Sequence, residues 1–302
     1  MGSEPLGGSR ILSEQNGEAA LHRLRAMTVS HRRAQRLANA RMGVSVLLAV
    51  SGLVTVFVPH VSASVTVVGG VWAVAHSVGL TQWESSEARR AALLQESFDV
   101  RLFHLEWNSA MVGSPPASHL ISSLSRRYSG EEAELRDYYE IPELPHPYDV
   151  VACQLQNLGW GARVRRRYAR TVLAAVLLWL GGGLVVGLTT RMEVLDLVLL
   201  WYVPSLGAAM MGLEVCRTQW QVAAERERVM ELLEARVAAG GDTGALMGFA
   251  RQVQDVIFHS RQRYTRVPDW FFRRFKSTDR ADFQAAMDDV ARLVARRTPQ
   301  PG

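Results

Sequence analysis

The sequence predicts an all-α polytopic membrane protein: four transmembrane helices as two hairpins, plus a cytosolic helical region. Three observations carry that prediction. Thr171–Thr190, TVLAAVLLWLGGGLVVGLTT, holds no charge, and a run of about 20 apolar residues matches the roughly 30 Å hydrocarbon core of a bilayer. Arg191 and Glu193 then close a turn too short for a domain, and Val194–Leu213 follows as another apolar run. Arginines crowd the outer edges of the paired apolar runs and are sparse in their turns, the asymmetry that orients membrane helices.

Average composition hides this split. A chain of 302 residues that is 48% hydrophobic and 21% charged reads as soluble until charge-free blocks are separated from charged ones. The net charge of +5 rests on arginine, Lys276 being the single lysine. Such basicity suits nucleic acid, a phosphate-rich ligand or anionic lipid. Its placement beside apolar runs favours the lipid bilayer as partner, and no DNA or RNA polymer is expected. Cys153 and Cys216 fall in segments assigned to the cytosol, where disulfides are disfavoured. The first apolar run begins near Gly43, too late for a secretory signal, so no cleavage is expected.

In chain order, residues 1–17 are Gly- and Ser-rich and are expected to be disordered. Residues 18–41 form a basic cytosolic helix carrying Arg23, Arg25, Arg32, Arg33, Arg36 and Arg41. Residues 42–80 form transmembrane hairpin 1: Gly43–Val58, a break at Pro59 and His60, then Ser62–Leu80. Residues 81–170 are a cytosolic middle region. There Ala91, Leu94 and Phe98 share one helix face, while Val100–Trp107, VRLFHLEW, alternates as a strand does. Met111–Ala117, with Gly113, Pro115 and Pro116, reads as a loop. Ser118–Tyr128 and Glu131–Glu140 read as short helices, and Asp149–Arg170 as one long helix.

Residues 171–213 form transmembrane hairpin 2, with Pro204 kinking its second helix. Residues 214–302 are a cytosolic C-terminal helical region. Its first helix runs to about Ala238 and is ended by Ala239–Thr243. Its second, Gly244–Arg263, places Leu246, Ala250, Val253 and Ile257 on one stripe, and its last does the same with Phe283, Met287, Val290 and Val294. Both termini face the cytosol. Thr81-Gln82-Trp83 and Thr218-Gln219-Trp220 each open a charged helix after a hairpin. A duplication about an axis along the membrane normal explains this, and so does the general preference of Trp for the membrane boundary.

Within the spans, Gly69, Ala73 and Ser77 recur every fourth residue, as do Gly183 and Gly187. Small residues so spaced let helices approach closely, within one protomer or between protomers around a pore. His76 sits beside the first stripe. An ionisable residue there lines a pore or simply reaches the interface. No catalytic constellation stands out: Glu131 and Glu132 are adjacent and diverge on a helix, and Gly181–Gly183 lies inside a span. The chain is expected not to be an enzyme and to carry neither metal nor cofactor.

Three stretches then stand together: Leu94–Asn108, LQESFDVRLFHLEWN; Ala152–Tyr168, ACQLQNLGWGARVRRRY; and Gln252–Phe275, QVQDVIFHSRQRYTRVPDWFFRRF. Around two hairpins, from about Ala40 to Asp289, they resemble the S-4TM family of pore-forming transmembrane effectors from cyclic-oligonucleotide (CBASS) antiphage systems. Gly161 stands where that pattern expects an acidic residue, and Leu155 where it expects a basic one. The resemblance implies a homo-oligomer of the bacterial inner membrane that a cyclic di- or trinucleotide from a partner nucleotidyltransferase triggers to permeabilise the bilayer. Such a ligand needs cations for its phosphates and flat groups for its bases. Arg126, Arg127 and Arg163 offer charge, Trp107, Tyr138 and Trp160 rings, and Asn108, Gln154 and Asn157 hydrogen bonds. Trp107 and Trp160 read equally as core residues. The alternative function is a non-conducting membrane scaffold or sensor that recruits cytosolic partners.

Overall fold

The computed structural model describes residues 8–57, 62–75, 81–159, 161–240, 242–262 and 267–296. Every regular element among them is helical. In order these are α1 (Gly8–Glu14), α2 (Glu18–Phe57), α3 (Ser62–Ala75), α4 (Thr81–Leu102), α5 (Ser109–Val112) and α6 (Ser118–Ser125). After them come α7 (Tyr148–Gly159), α8 (Ala162–Thr190), α9 (Val194–Leu197), α10 (Val203–Ala239), α11 (Thr243–Gln262) and α12 (Asp269–Ala295). The chain divides into two compact units. The first comprises Met1–Arg32, Ala88–Val164 and Val222–Gly302, and the second Arg33–Glu87 and Arg165–Gln221.

The first unit has one apolar core. Leu94, Phe98 and Phe103 meet Val151, Leu155 and Leu158 of α7 and Leu246, Val253 and Ile257 of α11. Full burial of a Leu or Phe side chain stabilises by about 1.5–3 kcal/mol, so this cluster dominates the fold of the unit. The helix ends are specified locally. Gly240, at φ 71, stops α10 in a left-handed turn that glycine adopts without strain. Asp242 then caps α11, its Oδ2 accepting from the backbone N–H groups of Gly244 and Ala245.

Four expectations are corrected here. VRLFHLEW is not a strand: α4 continues through Leu102 and ends at His104, whose φ is 54. The N–H of His104 donates to Arg101 O at 3.3 Å and that of Leu105 to Val100 O at 3.0 Å, the bonding pattern of a Schellman helix end. Val100, Leu102 and Phe103 are all buried, so the apparent alternation came from a helix covered on more than one side. Glu131–Glu140 holds only one tight turn, Glu132–Glu134. Side chains take over its backbone, with Tyr128 OH donating to Glu131 O and Gln15 bonding both N–H and C=O of Tyr139.

The long helix Asp149–Arg170 is broken at Gly161, whose φ of 102 lies outside the helical region. Residues 8–14 of the segment expected to be disordered form α1, because Ile11 is fully buried in the core and outweighs a weakly ordering composition. Residues 1–7 lie outside the described residues.

The second unit is built on apolar helices. Among the described residues two stretches contain a helix long and apolar enough to cross a membrane, one in α8 and one within Val194–Ala239, and Ala63–Trp72 is a shorter apolar stretch. Their apolar side chains face outward, with Leu178 76% and Leu188 70% exposed, an arrangement that suits lipid and not water. The run from Val194 passes through one π turn, Val198–Tyr202, just before Pro204. Pro204 has no N–H to give, and a π turn displaces carbonyls from their partners. Thr66 Oγ1 donates to Leu199 O at 3.1 Å, and Tyr202 OH to Leu180 O at 3.0 Å. Such hydroxyl bonds are how apolar surroundings tolerate an interrupted helix.

Gly69 and Gly183 mark close approaches. A Cβ on Gly69 would stand 3.1 Å from Pro204 Cα, and one on Gly183 only 2.4 Å from Trp201 Nε1. A Cβ on Gly187 would meet Leu197 Cδ2 at 2.9 Å. These contacts are all within one chain. Ala73 lies in α3, while His76 and Ser77 lie outside the described residues. Of the repeated tripeptides, Gln219 is buried and accepts from Arg165 Nη1 at 2.7 Å, whereas Gln82 is exposed. Trp83 and Trp220 are both exposed.

Candidate functional site

The three sequence stretches that stood out meet inside the first unit. α4 brings Glu96 and Asp99, α7 brings Gln154 and Asn157, and α11 brings Arg251, Gln254, Asp255 and Arg261. Glu96 and Asp99 are fully buried, and Arg261 is 4% exposed. Arg261 Nη1 lies 2.7 Å from Asp99 Oδ2, and its Nη2 donates to Asn157 Oδ1 at 3.0 Å. Arg251 Nη2 lies 2.9 Å from Glu96 Oε1 and 2.7 Å from Asp255 Oδ1. Gln254 Nε2 donates to both Glu96 and Asp99. Tyr139 OH donates to Asp99 Oδ1 at 2.6 Å and accepts from Asn157 Nδ2 at 2.7 Å.

Burial sets the ionisation of this network. It pushes the Glu96 carboxyl above the usual range, with the Arg261 charge pulling the other way. Burial by itself would lower Arg261, but Asp99, Tyr139, Tyr138 and Glu96 together outweigh it and hold the guanidinium charged. Burial, reinforced by Asp99, keeps the Tyr139 phenol protonated well past its ordinary range. A hydrogen-bonded ion cluster of this kind fixes helix register, because any slip leaves a charge stranded.

A cavity of about 660 Å³ also opens in the first unit, and no side chain of the network lines it. Arg23, Arg101, His104 and Trp107 line it, with Pro115, Pro116 and two serines, Ser97 and Ser118. Arg23 comes from α2, Arg101 and Ser97 from α4, and His104 from the left-handed turn that ends α4. Burial, and then the Arg101 charge, lower the pKa of Arg23. Among the described residues no group of three or more His, Cys, Asp or Glu could hold a metal ion.

The residues singled out from sequence divide among several places. Trp107 lines the cavity and donates its Nε1–H to Gly113 O at 2.7 Å. Asn108 caps α5 and donates to Asp255 Oδ2 at 2.9 Å. Gln154 is wholly buried against Ala250 O and Gln254, and Asn157 belongs to the ion network. Arg126, Arg127 and Arg163 are exposed and do not line the cavity, and Trp160 lies outside the described residues. Sequence reasoning missed Glu96, Asp99 and Arg261, and it placed Arg23 in the basic cytosolic helix before the first span without a ligand role. A signal for the network existed: Arg251, Gln254 and Arg261 stand at helical spacing beside the apolar stripe of α11.

Apolar, outward-greasy helices joined in one chain to a helical unit with an ionic core define an all-helical membrane protein. The chain belongs to the family of the SMODS-associating 4TM effector domain, whose model matches residues 9–290. It is also similar to a protein of Bacillus cereus (strain VD146) named "Probable CBASS effector molecule", at 24% identity over 275 residues, 87% of this chain and 92% of that protein. No solved structure matches the chain.

Proposed function

We propose that this protein is a membrane-embedded effector of bacterial antiphage defence that a cyclic oligonucleotide activates to oligomerise and permeabilise the inner membrane. Membership of the effector family across residues 9–290 carries this reading. The apolar hairpins supply the membrane part, with four spans and both termini in the cytosol, on the side where arginines flank the spans. The action is physical and not enzymatic. Purified protein in liposomes loaded with a self-quenched dye should release it only when a cyclic di- or trinucleotide is added. Absence of release with every cyclic nucleotide would overturn the pore.

The second reading, a non-conducting scaffold, draws on one observation. Gly69, Gly183 and Gly187 all meet side chains or backbone of their own chain, so these close-approach positions are already occupied within the protomer.

A further inference from the structure

We propose that the cavity lined by Arg23, Arg101 and Trp107 is a nucleotide site, holding phosphates between the two guanidiniums and a base against the indole. The ligand class rests on the activation reading above; the cationic character of the cavity does not.

The charge arrangement comes first. Among the described residues neither Arg23 nor Arg101 has a carboxylate partner, although other arginines of this unit are paired: Arg25 with Glu132, Arg251 with Glu96, and Arg261 with Asp99. Arg23 donates one N–H to Ala19 O at 2.6 Å, and its Nε is buried without an acceptor. A half-buried guanidinium with an unused donor beside a second positive charge is costly until an anion arrives. None of the described residues lining the cavity is acidic. His104 adds a further donor at the wall; Glu14 Oε2 lies 3.4 Å from its ring.

The shape agrees. The volume of about 660 Å³ falls within the ~300–1,000 Å³ of pockets that take small organic ligands. Trp107 has already committed its N–H to Gly113 O, so its ring offers stacking and not hydrogen bonding. Base–aromatic stacking is tolerant of base identity; the Ser97 hydroxyl already donates to Leu94 O at 2.9 Å, which leaves Ser118 as the lining hydroxyl able to discriminate base or sugar edges. The turn at His104, with φ 54, is an uncommon backbone for histidine, and such turns persist where the surroundings hold them, often at ligand sites.

The test uses full-length protein in lipid nanodiscs, titrated calorimetrically with cyclic dinucleotides, cyclic trinucleotides, ATP and inorganic phosphate. At least one nucleotide should bind wild-type protein and bind Arg101→Glu at least about tenfold more weakly, as expected for loss of a charge-assisted phosphate contact. The melting temperature of Arg101→Glu should not fall, since its side chain is exposed and the change relieves its repulsion with Arg23. Arg23→Gln should weaken binding likewise, and Trp107→Leu by a smaller factor than either. Equal binding by wild type, Arg101→Glu and Arg23→Gln would overturn the site while leaving the effector reading intact, the ligand then lying elsewhere. Binding of phosphate with no preference for a nucleotide, or of nothing in the panel, would also overturn it. Dye release by a cyclic oligonucleotide in that last case would show that the effector reading survives without this pocket.

Discussion

The two units bury polar groups by opposite rules. The first places whole charges in its core: Glu96 and Asp99 are fully covered and are answered by Arg251 and Arg261. The second, within its apolar runs, relies on neutral single bonds between helices. Trp72 Nε1 donates to Ser45 Oγ and Trp179 Nε1 to Ser205 Oγ, each at 2.8 Å, and glycines let the helices close up. Its buried Arg41–Glu84 pair lies where the sequence places the edges of the first hairpin. The difference fits the proposed surroundings of each unit, water for the first and lipid for the second. A chain folding in water can pair ions as it collapses, and their geometry then selects one register. A helix already in lipid has little hydrophobic incentive to meet another, so small residues and isolated hydrogen bonds must bring them together.

The sharpest way to break this contrast is to strand a charge in the first unit. Arg261→Ala leaves Asp99, and in part Glu96, buried without their cation. Breaking a buried pair in this way costs about 3–5 kcal/mol. Chemical unfolding followed by Trp fluorescence in detergent should show a loss of that size. A loss under about 1 kcal/mol would mean that water reaches the network and that the first unit is not ionically cored.

How far sequence alone reached depends on the same contrast. The apolar runs were legible because a charge-free stretch of bilayer length rarely fits inside a water-soluble core. The stripe Leu246, Ala250, Val253, Ile257 was legible because its spacing survives in the structure, where all four are buried. The ion network was not. Glu96, Asp99 and Arg261 read as solvated faces of amphipathic helices, and only the packing of α4, α7 and α11 together turns those faces inward. Nor could the cavity be read: Arg23 and Arg101 are far apart in sequence, and Arg101 lies in a segment whose alternation mimics a strand. Of the proposed ligand residues that the structure describes, Trp107 alone lines it.

A middle-sized effect tests the network through protons. Burial raises the Glu96 carboxyl above its ordinary range, so between the unfolded and folded values the native chain holds more protons than the unfolded one. Its contribution to stability is therefore greatest at acid pH and declines as pH rises through the raised folded value. In Glu96→Gln that decline disappears, while Gln254 and Arg251 keep a neutral partner. The difference in unfolding free energy between wild type and variant should shift in favour of the variant as pH rises from the ordinary carboxylate value of 4.5 through the raised folded value. Parallel curves would place Glu96 in contact with solvent.

The smallest effect belongs to the second unit and tests its half of the contrast. Trp72→Phe and Trp179→Phe each keep an aromatic ring but remove the donor to Ser45 or Ser205. Interhelical hydrogen bonds in membranes average only about 0.6 kcal/mol, because the separated helices also find partners. Each variant should therefore lose well under 1 kcal/mol in steric-trap unfolding within lipid, a bound of about that average. Trp179 also stacks on Trp201 at 5.0 Å, so part of the loss in Trp179→Phe belongs to the ring and not to the hydrogen bond. The paired controls Ser45→Ala and Ser205→Ala separate the bond from the ring: if each costs as much as its Trp variant, the hydrogen bond carries the effect, and if Ser205→Ala is silent while Trp179→Phe is not, the stacked indoles hold the second hairpin.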